Sequence, residues 1–177
     1  MIWRLVSNVW FSVLVNGASV GFFKSKRGVR QGDPLSLGLF IIGAEVLSRS
    51  LNKLLENRDF KCFSMPRACP KITHLSYADD VIVFSSACPT SLRYVMQTIG
   101  WYEEVSGQQI NIQKSGFLVH EKLSSRCVAR VRRVTGFVAK PFLVRYLGYP
   151  LFIGRRKSAY FLGLVQSVIN RMGTWRS

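Results

Sequence analysis

The chain has 177 residues, 48% of them hydrophobic, and it carries 25 Lys and Arg side chains against 9 Asp and Glu, a formal net charge of +16. This length and apolar content exclude a chain without a buried core and predict about one globular domain. So large a positive charge indicates a polyanionic partner, with a generic solubilising surface as the alternative.

The charge becomes more one-sided along the chain. No acidic residue follows Glu121, whereas 12 Lys and Arg residues lie between Lys122 and Arg176. A basic stretch without opposing carboxylates is typical of a surface that neutralises phosphates and releases their counterions. The last third of the chain is therefore the part that we expect to meet nucleic acid.

The cysteines and histidines do not form a metal-binding pattern. Cys62, Cys69, Cys88 and Cys127 contain no C-x-x-C pair, and the two histidines are not spaced from them as zinc ligands would be. We therefore expect reduced, intracellular thiols that mostly pack against their neighbours.

The uncharged stretch Leu5–Phe23 is the candidate for a membrane or signal segment. Polar residues interrupt it too often for a spanning helix or an apolar signal core. The dipeptide Asn16-Gly17 between Phe11–Val15 and Ala18–Phe23 predicts a β-hairpin instead. We expect a soluble chain without a membrane partner.

A helix is predicted to begin at Asp33-Pro34, after a basic loop that contains glycines. Asp33 suits the N-cap position, and Pro34 suits the first helical position. Apolar residues then recur at three- and four-residue steps to about Asn57, which predicts one buried helix face. The members of that face are Leu35, Leu39, Ile42, Val46, Leu47, Leu51 and Leu54.

The segment from Arg58 to Lys71 has two prolines and no sustained period, which predicts a loop. The β-prone runs Ile72–Tyr77 and Val81–Phe84 follow, separated by Ala78-Asp79-Asp80. This pattern predicts a hairpin with two carboxylates at its tip.

The rest of the chain alternates between helical and extended patterns. A second helix is predicted over Ser91–Ser106, with Gly107 as its stop and Leu92, Val95, Met96, Ile99, Tyr102 and Val105 inward. After it we predict an extended segment over Ile110–Val119, a basic helical segment over Ser124–Val134, a hairpin or strand over Tyr146–Leu151 and a terminal helix over Ser158–Met172.

The adjacent carboxylates Asp79 and Asp80 must either lie in solvent or meet a cation. A solvated turn is the structural alternative, since Asp is common in turns. Mg²⁺ prefers oxygen ligands and takes one or two carboxylates, leaving its other positions to water and phosphates. Two such ions would stabilise the attacking and leaving oxygens of nucleotide addition.

The segment Arg27–Ser36 is a second candidate site. Its glycines allow close backbone approach, its arginines bind phosphate as a fork, and a helix N-terminus favours anions. A capped helix after a turn is the alternative interpretation.

Together these two segments resemble a known family of enzymes. Gly28-Val29-Arg30-Gln31-Gly32-Asp33-Pro34-Leu35-Ser36, followed by Tyr77-Ala78-Asp79-Asp80, resembles the palm of reverse transcriptases, in particular those of plant non-LTR (LINE-type) retrotransposons. The order and spacing of further segments agree with the same family. These segments are Val15-Asn16-Gly17, Ser106–Asn111 with Lys114-Ser115, Tyr146–Leu151, and Gly154–Lys157 with Trp175-Arg176-Ser177.

The resemblance implies an α+β fold: a partial palm, with an antiparallel sheet and helices on one face, over residues 1–151. A basic, thumb-like helical segment would begin in residues 152–177. The implied function is RNA-directed DNA polymerisation, with a non-catalytic nucleic-acid-binding remnant of a retrotransposon protein as the alternative. Implied partners are an RNA template, a DNA primer and dNTPs, and the implied location is intracellular and nuclear.

The resemblance also implies site residues. Asp79 and Asp80 would be catalytic ligands of two Mg²⁺ ions, and Tyr77 and Ala78 would pack near the primer end. Residues that would line the template and incoming nucleotide are Arg30, Gln31 and Gly32. Tyr146, Leu147 and Gly148 would form the primer grip. Lys114 would contact phosphate or donate a proton, with an ordinary solvated lysine as the alternative.

Two departures from the family pattern qualify these expectations. Leu37 stands where the family usually has Pro, which a helix already begun at Pro34 tolerates. The family also places a metal-binding Asp in an earlier strand, and residues 1–14 contain no Asp or Glu. We therefore expect a truncated domain that is inactive or nearly so alone, prone to aggregate, and completed by a missing N-terminal half.

Overall fold

The computed structural model describes residues 7, 9–25, 29–66, 68–120, 122–141, 144–152, 155 and 157–174. The chain divides into two compact units, Met1–Ile110 and Asn111–Ser177, and each is described by itself. Both mix helices with short strands, so the expected combination of α and β elements is confirmed. In the described residues, however, the strands form four separate two-stranded pairs rather than one antiparallel sheet. The proposed boundary between residues 151 and 152 stays a prediction.

The first unit opens with the predicted hairpin. Strand β1 is Trp10–Val15 and strand β2 is Ala18–Lys24, and the two pair antiparallel. Asn16 and Gly17 both have positive φ, 50° and 81°, as a two-residue hairpin turn requires. Both strands are exposed along their whole length.

Helix α1 spans Pro34–Lys53 and continues as a 3-10 turn over Leu54–Glu56. Asp33 caps it, because its carboxylate accepts a hydrogen bond from the Leu35 backbone N–H at 2.9 Å. The predicted start and end of the helix are therefore confirmed.

The predicted buried face of α1 is right only toward its C-terminal end. Leu51 is fully buried, whereas Leu35 is 56% exposed and Ile42 is 62% exposed. Side chains from the segment around Thr73 reach the later turns of α1, and the earlier turns lack such cover in the described part of the unit. Together with its 3-10 extension, α1 is also long and apolar enough to cross a membrane, by length and composition alone.

The acidic hairpin and the next helix complete the first unit. Strands β3, His74–Tyr77, and β4, Asp80–Val83, pair antiparallel, and helix α2 spans Pro89–Ser106. Gly107 ends α2 in the left-handed conformation, as predicted. The buried apolar side chains of the unit are Leu51, Phe60, Leu92, Val95 and Tyr102. Val105, predicted to point inward, is 64% exposed because it lies in the last turn of α2, beyond the buried contacts.

The second unit contains a helix between two parallel strands. Strand β5 is Gly116–Leu118, helix α3 is Ser125–Thr135, and strand β6 is Val138–Lys140, which pairs parallel with β5. The basic helix is confirmed. The extended segment predicted over Ile110–Val119 is wrong for its first half, where residues 112–114 form a turn held by the Asn111 side chain.

The remaining elements agree with the predicted order. Strands β7, Val144–Tyr146, and β8, Tyr149–Leu151, form an antiparallel hairpin. A 3-10 turn over Ser158–Phe161 leads into helix α4, Leu162–Gly173. The segments Gly154, Arg156 and Trp175-Arg176-Ser177, used above for the family resemblance, lie outside the described residues.

Candidate active site

The β3–β4 hairpin presents the two adjacent carboxylates. Tyr77 pairs with Asp80, so Ala78 and Asp79 alone form the turn, and Asp80 is the first residue of β4 rather than part of the tip. Ala78 has a φ of 49°, a conformation that non-glycine residues seldom adopt. Such strain persists only where surrounding structure enforces it, and here the strand pair on both sides does so.

Both carboxylates are open to a cation. Asp79, Asp80 and the neighbouring Tyr77 are exposed. Among the described residues the one ion pair joins Arg49 to Glu45, so no described Lys or Arg neutralises either aspartate. Two unpaired oxygen ligands in adjacent positions fit a hydrated Mg²⁺ ion. The described residues contain no group of three or more His, Cys, Asp or Glu side chains able to hold a metal.

A cavity of about 320 Å³ lies beside the turn. Ala78 and Asp79 form part of its wall, and mainly apolar side chains of α1 form another part. Its remaining members come from β3, β4, the last turns of α2 and the segment just after α2. The full lining consists of Phe40, Ala44, Leu47, Ser48, His74, Ser76, Ala78, Asp79, Val81, Tyr102, Gln108 and Gln109. Asp79 therefore sits at the edge of a concave, largely apolar surface, whereas Asp80 does not line it.

A hydrogen-bond chain supports this hairpin from α1. Thr73 is 3% exposed and donates its hydroxyl hydrogen to Asn52 Oδ1 at 2.6 Å. Because that hydrogen is committed, the contact of 2.9 Å between Thr73 Oγ1 and His74 Nδ1 requires the ring N–H to donate. His74 Nε2 lies 2.9 Å from Ser48 Oγ, which donates to it when the ring is neutral.

These hydrogen bonds were not predicted from the sequence. Desolvation by burial lowers the pKa of His74 below 6.5, and the nearby Glu45 carboxylate opposes this shift. The available signal was weak: Ser48 and Asn52 are four positions apart and share one side of the helix, but it is not the side predicted to be buried.

The template and nucleotide candidates Arg30, Gln31 and Gly32 occupy the turn before α1. Gly32 has a φ of 85°, and the Asp33 backbone N–H donates to the Arg30 carbonyl at 3.4 Å. Arg30 and Gln31 are exposed at the helix N-terminus, where a bound anion is favoured. None of the three lines the cavity beside Asp79. Arg27 and Gly28 of the same motif lie outside the described residues.

The other predicted site residues belong to the second unit. Lys114 is exposed, and its backbone carbonyl accepts a hydrogen bond from the Lys140 ammonium group. Leu147 and Gly148 form the turn of the β7–β8 hairpin with φ of 52° and 79°, and Tyr146 precedes them. Their roles at a primer or phosphate stay predictions.

Comparison with known proteins decides the family. The model of the family "Reverse transcriptase (RNA-dependent DNA polymerase)" matches residues 1–163. The chain belongs to the reverse transcriptase family. Members of this family act on a nucleic-acid template and primer and normally use a divalent metal.

Individual relatives agree with this reverse transcriptase assignment. An uncharacterized mitochondrial protein of Arabidopsis thaliana is 39% identical over 75 residues, 42% of this chain and 62% of the relative. The Pol polyprotein of the type-1 retrotransposable element R2 from Popillia japonica is 29% identical over 153 residues, 81% of this chain and 24% of the relative. An uncharacterized 149 kDa protein of transposon TX1 from Xenopus laevis is 29% identical over 157 residues, 85% of this chain and 11% of the relative.

These relatives confirm the expected non-LTR type of reverse transcriptase, since R2 and TX1 are named among them. The chain spans less than two thirds of the length of each of the three.

Proposed function

We propose that this chain carries the catalytic hairpin of an RNA-directed DNA polymerase that adds nucleotides to a primer 3′-end. The observation that carries the proposal is the position of Asp79 and Asp80. They are adjacent, exposed and without an ion-pair partner among the described residues, at the turn of a hairpin in a chain of the reverse transcriptase family.

In this proposal each residue of the hairpin has a separate task. Asp79, in the turn, would be the main metal ligand, and Asp80, held in β4 by its pairing with Tyr77, would be the second. When bound, Mg²⁺ would stabilise charge on the attacking 3′-oxygen and the leaving pyrophosphate. The exposed ring of Tyr77 and the compact Ala78 are available for packing against the primer end.

The turn before α1 supplies the proposed nucleotide-binding surface. Arg30 presents a guanidinium fork, and Gly32 leaves the backbone accessible to a phosphate at the helix N-terminus. Lys114 and the turn formed by Leu147 and Gly148 are proposed phosphate and primer contacts.

We further propose that the 177 residues alone extend a primer poorly or not at all. Asp79 and Asp80 are the carboxylates that we assign to the metals, and two carboxylates neutralise only part of the charge of two divalent ions. A further carboxylate, with the surface that holds the template, would come from another chain or another part of a longer protein. The exposed apolar turns of α1 are also prone to association.

A second candidate function is nucleic-acid binding without catalysis. It is favoured by the second unit, where 12 basic residues lie between Lys122 and Arg176 and no Asp or Glu accompanies them. Such a surface would bind phosphates with little preference for sequence.

Two measurements test the proposal together. The first is Mn²⁺ binding, followed by electron paramagnetic resonance, in the presence of a primer, an RNA template and a dNTP. The second is primer extension. Asp79→Asn/Asp80→Asn is the test variant, and Glu56→Gln/Asp59→Asn, two exposed acids of the first unit, is the control with the same charge change.

We expect the wild-type chain and the control variant to bind Mn²⁺ and the test variant not to bind it. We expect little primer extension by any of the three proteins. Primer extension that disappears only in the test variant would show that the 177 residues are enough for polymerisation. It would overturn the expected inactivity. Mn²⁺ binding that is equal in all three proteins would refute the metal role of the two aspartates.

A further inference from the structure

The second unit contains a groove of about 510 Å³ between helix α3 and the parallel strand pair β5–β6. Its volume lies within the roughly 300–1,000 Å³ of small-ligand sites. The groove is formed entirely by residues of this unit, and it involves none of the residues assigned to polymerase chemistry.

One face of α3 forms the first wall. Its five lining residues recur at steps of three and four, which places them on one side of a helix. These residues are Ser125, Val128, Ala129, Arg132 and Arg133. The middle of this wall is therefore small and apolar, and its C-terminal end carries two guanidinium groups.

The opposite wall is apolar. Phe117 of β5 and Val138 and Ala139 of β6 form it, and Leu123 closes the side toward the start of α3. Val138 is half exposed, so an apolar surface remains open to solvent in the groove. The half-buried ring of Phe117 offers a flat face of the kind on which nucleobases stack.

The charged side chains of the described residues around the groove are basic. Arg132 and Arg133 are exposed, and no described carboxylate lies in the unit, since Glu121 is its one acidic residue and lies outside the described residues. Lys140 at the end of β6 is tied to the Lys114 carbonyl, so the two arginines are the cations that face the groove. Paired guanidinium forks recognise phosphate oxygens with defined geometry.

We propose that this groove binds single-stranded RNA, with one base against Phe117 and adjacent phosphates on Arg132 and Arg133. The proposal rests on the nucleic-acid-binding function proposed above and assigns a place to it. A single strand of nucleic acid combines a flat apolar group with a repeated anion, which matches an apolar wall beside two exposed cations. RNA is chosen over DNA because the matching family is that of RNA-dependent polymerases. The same chemistry disfavours an acidic peptide, which supplies the charge but not the stacked base.

The test compares two double variants of the full chain on the same helix. Arg132→Gln/Arg133→Gln removes the cations of the groove, and Arg126→Gln/Arg130→Gln removes two exposed arginines that do not line it. All four side chains are exposed, so we expect each variant to keep its helices, which circular dichroism would check. Binding of a labelled RNA of about 12 nucleotides is followed by fluorescence anisotropy from about 50 to 200 mM salt.

The slope of log K against log salt is negative, and we expect the groove variant to reduce its magnitude by about 1.4 and the control to reduce it by less than half as much. Phe117→Leu should weaken binding to RNA but not to an abasic strand of equal length. Equal slopes in the two double variants would refute the assignment of RNA binding to this groove. The proposal that the chain binds nucleic acid would still stand. If the wild-type chain does not bind RNA at all, both the groove and the nucleic-acid-binding function are overturned. Equal affinity for DNA, or equal competition by polyglutamate, would overturn the choice of RNA.

Discussion

Replacing Thr73 by Val tests whether the hydrogen-bond chain beneath the acidic hairpin holds β3 on α1. Valine has nearly the same shape, so the change removes the hydroxyl with little change in packing. Thr73 is 3% exposed, and its hydroxyl contacts Asn52 Oδ1 at 2.6 Å and His74 Nδ1 at 2.9 Å. Both partners lose a hydrogen bond, but only His74 is partly shielded from the water that could replace it.

The size of the effect follows from that difference. Asn52 is exposed, so water replaces its lost partner at little cost. The ring N–H of His74 is partly desolvated and loses its acceptor, and leaving such a group unsatisfied costs about 1–3 kcal/mol. Thr73→Val should therefore lower the free energy of unfolding of the first unit by about 1–3 kcal/mol.

The assay is urea unfolding followed by tryptophan fluorescence, in a double-mutant cycle with His74→Phe. In the His74→Phe background no ring N–H remains, so Thr73→Val should cost less than about 0.5 kcal/mol. An equal cost of Thr73→Val in both backgrounds would refute the reasoning, since the lost stability would then not come from His74.

Three further predictions concern the same unit. Because burial lowers the pKa of His74, the unfolded chain binds a proton at this ring more readily than the folded chain does. The free energy of unfolding should therefore be full above pH 6.5 and fall as the pH drops below it. In urea titrations at several pH values, His74→Phe should reduce this dependence. Ala78→Gly should leave the free energy of unfolding unchanged or raise it by about 1 kcal/mol, because glycine adopts the positive φ of this position without strain. A lower free energy of unfolding in urea would contradict this. Backbone N–H groups of Thr90 and Ser91 lower the pKa of the Cys88 thiol, so iodoacetamide near pH 7 should alkylate Cys88 faster than the exposed Cys69; equal rates by mass spectrometry would exclude the effect.

The sequence predicted best the elements whose signals are local. Asn16-Gly17 specifies a hairpin turn, Asp33-Pro34 a helix start and Gly107 a helix end, and each of these is confirmed. Such residues act through their own φ angles and capping hydrogen bonds, so they need no knowledge of distant parts of the chain.

Burial was harder to predict because it depends on what covers a face. The apolar spacing of α1 is that of a core helix, yet Leu35 and Ile42 are exposed where the described unit offers nothing to pack on them. The parallel pairing of β5 with β6 was missed for a related reason. Strands of three residues separated by a helix have no local signal for partner or direction.

The hairpin that carries the candidate site was predicted, its support from α1 was not, and the chemical roles of its residues stay predictions. Asp79 and Asp80 were identified from their adjacency between two β-prone runs, and only the exact bounds of the turn differ. The contribution of Ser48 and His74 arises from the approach of α1 to β3, which a linear sequence does not reveal.

The parallel strand pair of the second unit also governs the order in which that unit folds. Gly116 cannot meet Val138 until the whole of α3 has been accommodated between them, so the pairing must overcome the entropy of closing a long loop. The helix has no such requirement, because Ser124 caps its start and Gly136 closes its end. We therefore expect α3 to form early as a local structure, with β5 and β6 joining only afterwards. A nascent chain released before Lys140 would retain the basic helix and lack the groove.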